Sequence, residues 1–181
     1  MMKSVLIAIR PQCVEKIANG EKTIEVRNTA PKEVPFKCYI YETKGQYVKF
    51  THGAHTKYGY GRGKVIGEFI CDKVERLEEH IEQGGLYYIL SDTFNEQAQL
   101  DNWELHDYGK GKTLYGWHIS DLKIYDKPRE LSEFSRPCSY SGLCFSCKRT
   151  SFKKDGNLLC NTKITRPPQS WMRVENLGEE E

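Results

Sequence analysis

No apolar run in the 181-residue sequence approaches the roughly 20 residues of a membrane-spanning helix. Met1-Met2-Lys3 leads straight into a β-like stretch without a secretory leader. These two absences predict a soluble, cytoplasmic protein. Internal repeats are missing too, which argues against solenoids and propellers. Carboxylates are scarce in one region: from Arg136 to Arg173 a single acid, Asp155, accompanies eight basic residues, Arg136, Lys148, Arg149, Lys153, Lys154, Lys163, Arg166 and Arg173. That segment carries +7, and the overall charge of +2 leaves −5 for the rest. A basic surface on a mildly acidic body suits a polyanion, because neutralised phosphates release counterions; a solvated lysine-rich loop has the same composition. Histidine is absent from residues 135–163, where four cysteines crowd together, and the total of seven cysteines is odd, which disfavours a complete disulfide framework. With 38% hydrophobic residues, the chain predicts one good core and a small appended lobe, not two full domains.

The most informative stretch is Gly20-Glu21-Lys22-Thr23-Ile24-Glu25-Val26-Arg27. In a strand, alternate side chains share a face, so Thr23, Glu25 and Arg27 are expected to project together while Ile24 and Val26 enter the core, with Lys22 leaning over the polar face from the preceding turn. Upstream, Val5-Leu6-Ile7-Ala8-Ile9 reads as a buried strand. Arg10-Pro11 places proline in the first turn of a helix, where its missing N–H costs least. Val14, Ile17 and Ala18 continue the helical spacing and Gly20 supplies a left-handed stop.

This strand, the Arg-Pro helix and the Gly-x-Lys-x-x-Glu-x-Arg pattern resemble the ASCH family, small β-barrel domains related to the PUA fold and more distantly to modified-base readers. Tyr115-Gly116-Trp117-His118-Ile119 with Leu122-Lys123-Ile124-Tyr125, and Arg166-Pro167-Pro168-Gln169-Ser170-Trp171, extend the resemblance over nearly the whole chain. It implies an α+β, PUA-like small barrel with flanking helices. Some small bacterial ASCH proteins are amidohydrolases acting on N4-acetylcytidine, with a lysine at the position matching Lys22 and a threonine where this chain has Glu25. Other members cleave RNA. The resemblance therefore brings both hydrolysis and RNA binding into view, and Glu25 departs from the amidohydrolase pattern.

Further along, Lys37-Cys38-Tyr39-Ile40-Tyr41 and the run from Lys64 to Cys71 read as strands, with the glycine- and aromatic-rich stretch 51–63 between them as a mobile hairpin loop whose tyrosines, histidines and Arg62 suit stacking on unpaired bases. Val74, Leu77 and Ile81 have helical spacing, and Phe94, Ala98, Leu100 and Trp103 predict one or two further helices. Gly109-Lys110-Gly111-Lys112-Thr113 looks like a phosphate-binding loop, yet His106 stands where its first glycine is required; it reads as a solvent loop. Tyr115 to Tyr125 is expected to be one strand ended by Asp126-Lys127-Pro128, Glu130 to Phe134 one helical turn, and Thr165 to Val174 the closing strand with Pro167-Pro168 at its edge. The expected organisation is a barrel over 1–134, a basic cysteine-rich insertion over 135–163, a closing segment over 164–175 and an acidic tail over 176–181.

Cys138, Cys144, Cys147 and Cys160 lie in a segment with few large apolar residues, so something other than burial must order it. One Cys-x-x-Cys pair plus two outlying thiols fits a structural, closed zinc site; free thiols and disulfides remain alternatives. Cys13, Cys38 and Cys71 read as small core residues.

Lys22, Glu25 and Arg27 admit three readings. They form an ion-paired rim; or, with Arg10, they bind phosphate while Glu25 accepts from an amino group or ribose hydroxyl; or Lys22 and Glu25 are catalytic, with Glu68 or Glu75 as a water-positioning carboxylate. Tyr41, Trp117 and His118 are candidates for lining the same cleft. Arg62, Lys148, Arg149, Lys153, Lys154 and Arg166 are candidates for nucleic-acid contact. The preferred reading is an RNA- or modified-nucleoside-binding protein, against a hydrolase using the same cleft and against a protein-interaction module.

Overall fold

The structure is a computed structural model that describes residues 2–52, 55–82, 85–88, 90–138, 150–152, 154, 156, 158–160 and 162–177. Val5-Leu6-Ile7-Ala8-Ile9 shows no polar alternation because its strand, β1 (Lys3–Ile9), is covered on both faces. Val5, Ile7 and Ile9 point into one core cluster with Phe36, Ile40, Phe69 and Trp117; Leu6 and Ala8 point into a second with Tyr39, Val65, Phe134 and Val174.

A parallel partner for β1 needs a long crossover. That partner is β3 (Phe36–Glu42), and the crossover contains α1 (Pro11–Ala18) and β2 (Ile24–Arg27). The helix buries Pro11, Val14 and Ile17. It ends as its glycine predicts: Gly20 takes φ +76°, its N–H reaches Ile17 O at 3.0 Å and Glu21 N–H reaches Lys16 O at 2.9 Å. This double closure swings the chain so that β2 starts on the side of α1 that faces the future cleft.

Beyond β3, the five-stranded sheet is completed by β6 (Val65–Cys71), β11 (Ser120–Arg129) and β14 (Trp171–Val174), in the order β11-β6-β3-β1-β14. A second sheet has β2 in the order β2-β10-β7, with β7 (Val74–Leu77) and β10 (Leu114–His118). Outside it lie α2 (Phe94–Ala98) and α3 (Asn102–Gly109), sealing a third cluster of Ile24, Val26, Leu77, Phe94, Leu105 and Leu114. Gly116 permits this approach, since a Cβ there would stand 2.7 Å from Phe94 Cε2 and 3.0 Å from Ile24 Cγ2. The architecture is α+β, and strand pairing among the described residues gives a five-stranded sheet, a three-stranded sheet and three two-stranded ones, with no closed ring.

Several local expectations change. Residues 74–82 are not helical: β7 pairs with β10, and β8 (Glu79–Glu82) forms a hairpin with β9 (Gly85–Tyr88). Cross-strand pairing outweighs a helical spacing of three apolar residues. The described residues 51–52 and 55–61 are not a loop but belong to a long hairpin, β4 (Gly45–His52) and β5 (His55–Gly61). The run 115–125 is two strands in different sheets, broken at Ile119 and followed by Asp121 at φ +47°. β11 continues through Pro128 to Arg129, because as an edge strand it tolerates a residue without an N–H. After η1 (Leu131–Glu133), the chain leaves at Ser135, which bridges Lys163, with Arg136 N–H to Thr162 O at 2.8 Å and Ile164 N–H to Phe134 O at 2.9 Å. In between, β12 (Thr150–Phe152) pairs with β13 (Leu158–Cys160). Among the described residues no helix is long and apolar enough to cross a membrane.

Candidate functional site

Ile24 and Val26 of β2 enter the third cluster, so Glu25 and Arg27 point the other way, into a cleft of about 560 Å³. Lys22 joins them from the turn before the strand. The side chains of Lys22, Glu25 and Arg27 retain only 2%, 7% and 10% of their exposure. Their charges form a chain: Lys22 Nζ lies 3.5 Å from Glu25 Oε2, and Arg27 Nη2 lies 2.8 Å from Glu25 Oε1. At its ends Lys22 donates to Ala98 O at 2.5 Å and Arg27 donates to Ala8 O at 2.6 Å. The array ties the end of α2 to the end of β1.

One carboxylate sits between two cations, so the buried group carries a net positive charge softened by two carbonyl dipoles. Lone buried charges are costly, and this arrangement keeps each one partnered. Arg27 Nε is buried and finds no acceptor among the described residues.

Above this floor the cleft is lined from four directions. Arg10 and Cys13 come from the start of α1, and Thr43 from the chain just after β3. Glu104, Asp107, Tyr108 and Lys110 come from α3 and its end, and Pro168 and Gln169 from the approach to β14. Four cations, Arg10, Lys22, Arg27 and Lys110, thus face three carboxylates, Glu25, Glu104 and Asp107. Lys110 is the left-handed cap of α3, at φ 49°, ψ 47°. That conformation favours glycine or asparagine, so a lysine there is held at some conformational cost. Burial pushes the Cys13 thiol up, and the Glu25 carboxylate adds to the shift. It therefore stays protonated, which disfavours it as a nucleophile.

Of the residues singled out in the sequence, Arg10, Lys22, Glu25 and Arg27 share this cleft; the others among the described residues do not. Thr23 is exposed, and its backbone is spent on Gln97 O and Ile119 N–H. Trp117 is fully buried, edge-on to Phe36 at 5.1 Å and to Trp171 at 5.8 Å. Tyr41 is packed in the second cluster, on the other face of the five-stranded sheet. His118 points away to Glu75, Nε2 to Oε2 2.6 Å, so neither lines the cleft. Glu68 is held by Lys37 and Tyr125, so neither Glu68 nor Glu75 stands opposite Lys22. Strand alternation explains His118 and Glu75, which share the Ile24 and Val26 face of the three-stranded sheet. Trp117 lies across from Glu25 on the same face but is packed into the first core cluster, and Thr23 precedes the start of β2.

The α3 residues were missed because their stretch carries no motif. The signal there, Lys110 between Gly109 and Gly111, equally suits a solvent loop. Arg62 is exposed, with its backbone N–H donating to Glu42 Oε2 at 2.7 Å. Lys154 and Arg166 are exposed, and Arg166 lies two residues before the cleft residue Pro168. Lys148, Arg149 and Lys153 lie outside the described residues, as do Cys144 and Cys147. Cys138 and Cys160 are exposed free thiols. Among the described residues no group of three His, Cys, Asp or Glu side chains is placed to hold a metal.

No protein-family model matches the sequence, and no curated protein matches it. Solved structures do. The chain is similar to the crystal structure of ASCH from Zymomonas mobilis at 16% identity and TM-score 0.54, covering 96% of this chain and 88% of that one. A tyrosine-to-phenylalanine mutant of the same Zymomonas mobilis protein aligns at 16% identity and TM-score 0.52, over 96% of this chain and 91% of that one. At such identity the likeness shows the fold.

Proposed function

We propose that this chain, which has the ASCH fold, binds RNA or a modified nucleoside with one nucleotide seated in the Lys22–Glu25–Arg27 cleft. The observation that carries this reading is the buried alternation of charge on the cleft floor, with Arg10 and Lys110 above it. Cations on both sides of the opening suit a phosphate or ribose oxygens; Glu25, Glu104 and Asp107 accept hydrogen bonds from amino and hydroxyl groups. Tyr108 offers part of a ring at the rim. A cleft of about 560 Å³ lies within the usual range of small-molecule sites.

A hydrolytic reading, amidohydrolase-like or ribonuclease, has one observation in its favour: Glu104 and Asp107 line the same cleft as Lys22, although one oxygen of Glu104 accepts from Asp101 N–H at 2.9 Å in the capping box of α3. Against it, Lys22 already donates to a backbone carbonyl and neighbours Glu25, which makes it a fixed donor more than a base.

The test is incubation with a panel of modified nucleosides, nucleoside monophosphates and short RNAs, followed by mass spectrometry for retained ligand and for product. Retained, unaltered ligand that is lost with the exposed-residue variant Arg10→Ala supports binding. A product requiring Lys22 and Glu104 or Asp107 moves the assignment to hydrolysis, and failure to retain any compound overturns both.

A further inference from the structure

Between Thr43 and Lys64 the sequence contains five cations, Lys44, Lys49, Lys57, Arg62 and Lys64, and not one aspartate or glutamate. In a protein of net charge +2, this segment alone carries +5. It folds as the β4–β5 hairpin, a two-stranded sheet of its own.

Its two faces differ. On one, Tyr47 hydroxyl donates to Glu15 Oε2 at 2.8 Å and Lys49 Nζ lies 3.0 Å from Glu15 Oε1, docking the hairpin on α1. Gly59 has no side chain because Tyr47 lies across it, with a Cβ there meeting Tyr47 Cζ at 2.4 Å. Alternation sends Val48, Tyr58 and Tyr60 to the opposite face, where Val48 pairs with Tyr58 and Gln46 with Tyr60. These three apolar side chains are 55%, 49% and 70% exposed. Two tyrosines two residues apart, roughly 6.6 Å along the strand, present an exposed aromatic face, and of the segment's five cations Lys49 pairs with Glu15, Arg62 with Glu42 at 4.0 Å and Lys64 with Glu130 at 2.7 Å. At its open end the hairpin meets the cleft. Thr43, which lines the cleft, packs against Gly61, the residue after Tyr60, and Gly61 also abuts Pro11, the neighbour of Arg10.

We infer that the outer face of the β4–β5 hairpin is a stacking platform for single-stranded nucleic acid, leading a strand past Tyr58 and Tyr60 to the nucleotide held in the cleft. The inference rests on the cleft reading above and deepens it: the ligand is a strand, not a free nucleoside. Bases stack on aromatic rings whatever their sequence, and a carboxylate-free basic segment keeps the phosphates close. A protein partner is the competing occupant of an exposed apolar face, but the segment's five cations outnumber the three carboxylates they pair with, Glu15, Glu42 and Glu130, and that positive balance complements a polyanion.

The test uses the full chain and two probes, a fluorescein-labelled twelve-nucleotide oligouridine followed by anisotropy and uridine monophosphate followed by calorimetry. The variant Tyr58→Ala/Tyr60→Ala is expected to lose at least about 10-fold in oligouridine affinity and to bind the monophosphate as before. Tyr58→Phe/Tyr60→Phe, which keeps the rings, should retain oligouridine affinity within about 2-fold. Unchanged oligouridine affinity in the alanine variant overturns the platform, and the monophosphate result then speaks for the cleft alone. Equal loss for both probes also overturns it, since the tyrosines would then be acting on the cleft. So does a duplex of the same length that competes as well as the single strand, or a wild-type chain that binds no oligonucleotide. Loss of oligouridine binding in a chain that never takes the monophosphate keeps the platform and removes the cleft reading.

Discussion

Glu25 accepts from Arg27 Nη2 at 2.8 Å while its other oxygen lies 3.5 Å from Lys22 Nζ, and all three side chains are about nine-tenths buried or more. A carboxylate so placed holds two cations at the floor of a cleft and is also part of the joint between α2 and β1. Stability and binding are therefore coupled at this residue.

Replacing Glu25 by alanine is expected to cost about 3 to 5 kcal/mol, because Lys22 and Arg27 are left buried without their counter-charge. Urea unfolding measures this. The double variant Glu25→Ala/Lys22→Met should recover part of the loss, since one stranded charge is removed with its partner. A cost below about 0.5 kcal/mol, typical of surface substitutions, would show that the array is effectively solvated.

Lys110 offers the opposite separation. Its left-handed conformation is unfavourable for a residue with a Cβ, so Lys110→Gly should raise stability by up to about 1 kcal/mol. The same change removes a cation from the cleft rim, and affinity for a nucleoside monophosphate should fall. Calorimetric Tm and titration on one sample distinguish the two effects; a stabilised variant with unaltered affinity would place Lys110 outside the binding site.

Glu68 has two partners, with Tyr125 donating to Oε2 at 2.6 Å and Lys37 to Oε1 at 2.9 Å. Burial, the largest influence, pushes its pKa up, but the hydrogen bonds from Tyr125 and Lys37 and the charges of Lys37 and Lys123 together outweigh burial and hold the carboxyl below its ordinary value of 4.5. A depressed folded value means that the stabilisation is present above about the ordinary value and is lost as pH falls through the folded one. Tyr125→Phe should therefore be less stable than the parent at pH 7, with the gap narrowing as the pH drops below about 4.5. A gap constant from pH 7 to pH 3, read by denaturant melts, would mean that Tyr125 acts through packing alone.

Cys138, Cys144, Cys147 and Cys160 are proposed to share one structural zinc whose binding orders the basic insertion. Elemental analysis of protein purified without added metal should give close to one zinc per chain. Chelation should make residues 135–163 protease-sensitive while the sheets stay intact. A metal-free protein with the same protease pattern before and after chelation would remove the idea.

Much of the site was legible because its cause is local. Strand alternation in β2 sends Ile24 and Val26 one way and Glu25 and Arg27 the other, and the Pro11 start and Gly20 stop of α1 set where that strand begins. Residues whose roles depend on a neighbouring strand were not legible. His118 is drawn to Glu75 across the β7–β10 pair, and Trp117 fills the space between sheets. Val74 and Leu77 have a spacing that suits a helix, yet they belong to a strand because β10 lies alongside to pair with it.

By itself the sequence determined the apolar strands, the capped first helix and the polar alternation of β2, since each follows from backbone geometry and side-chain period within a few residues. Only the tertiary structure decided that α3, Lys110 and the approach to β14 close over that alternation to make a cleft, and that 43–64 is a docked hairpin with one bare aromatic face. Those outcomes depend on contacts between segments tens of residues apart, where burial, close approach at Gly116 and Gly61 and the pairing of charges are settled together.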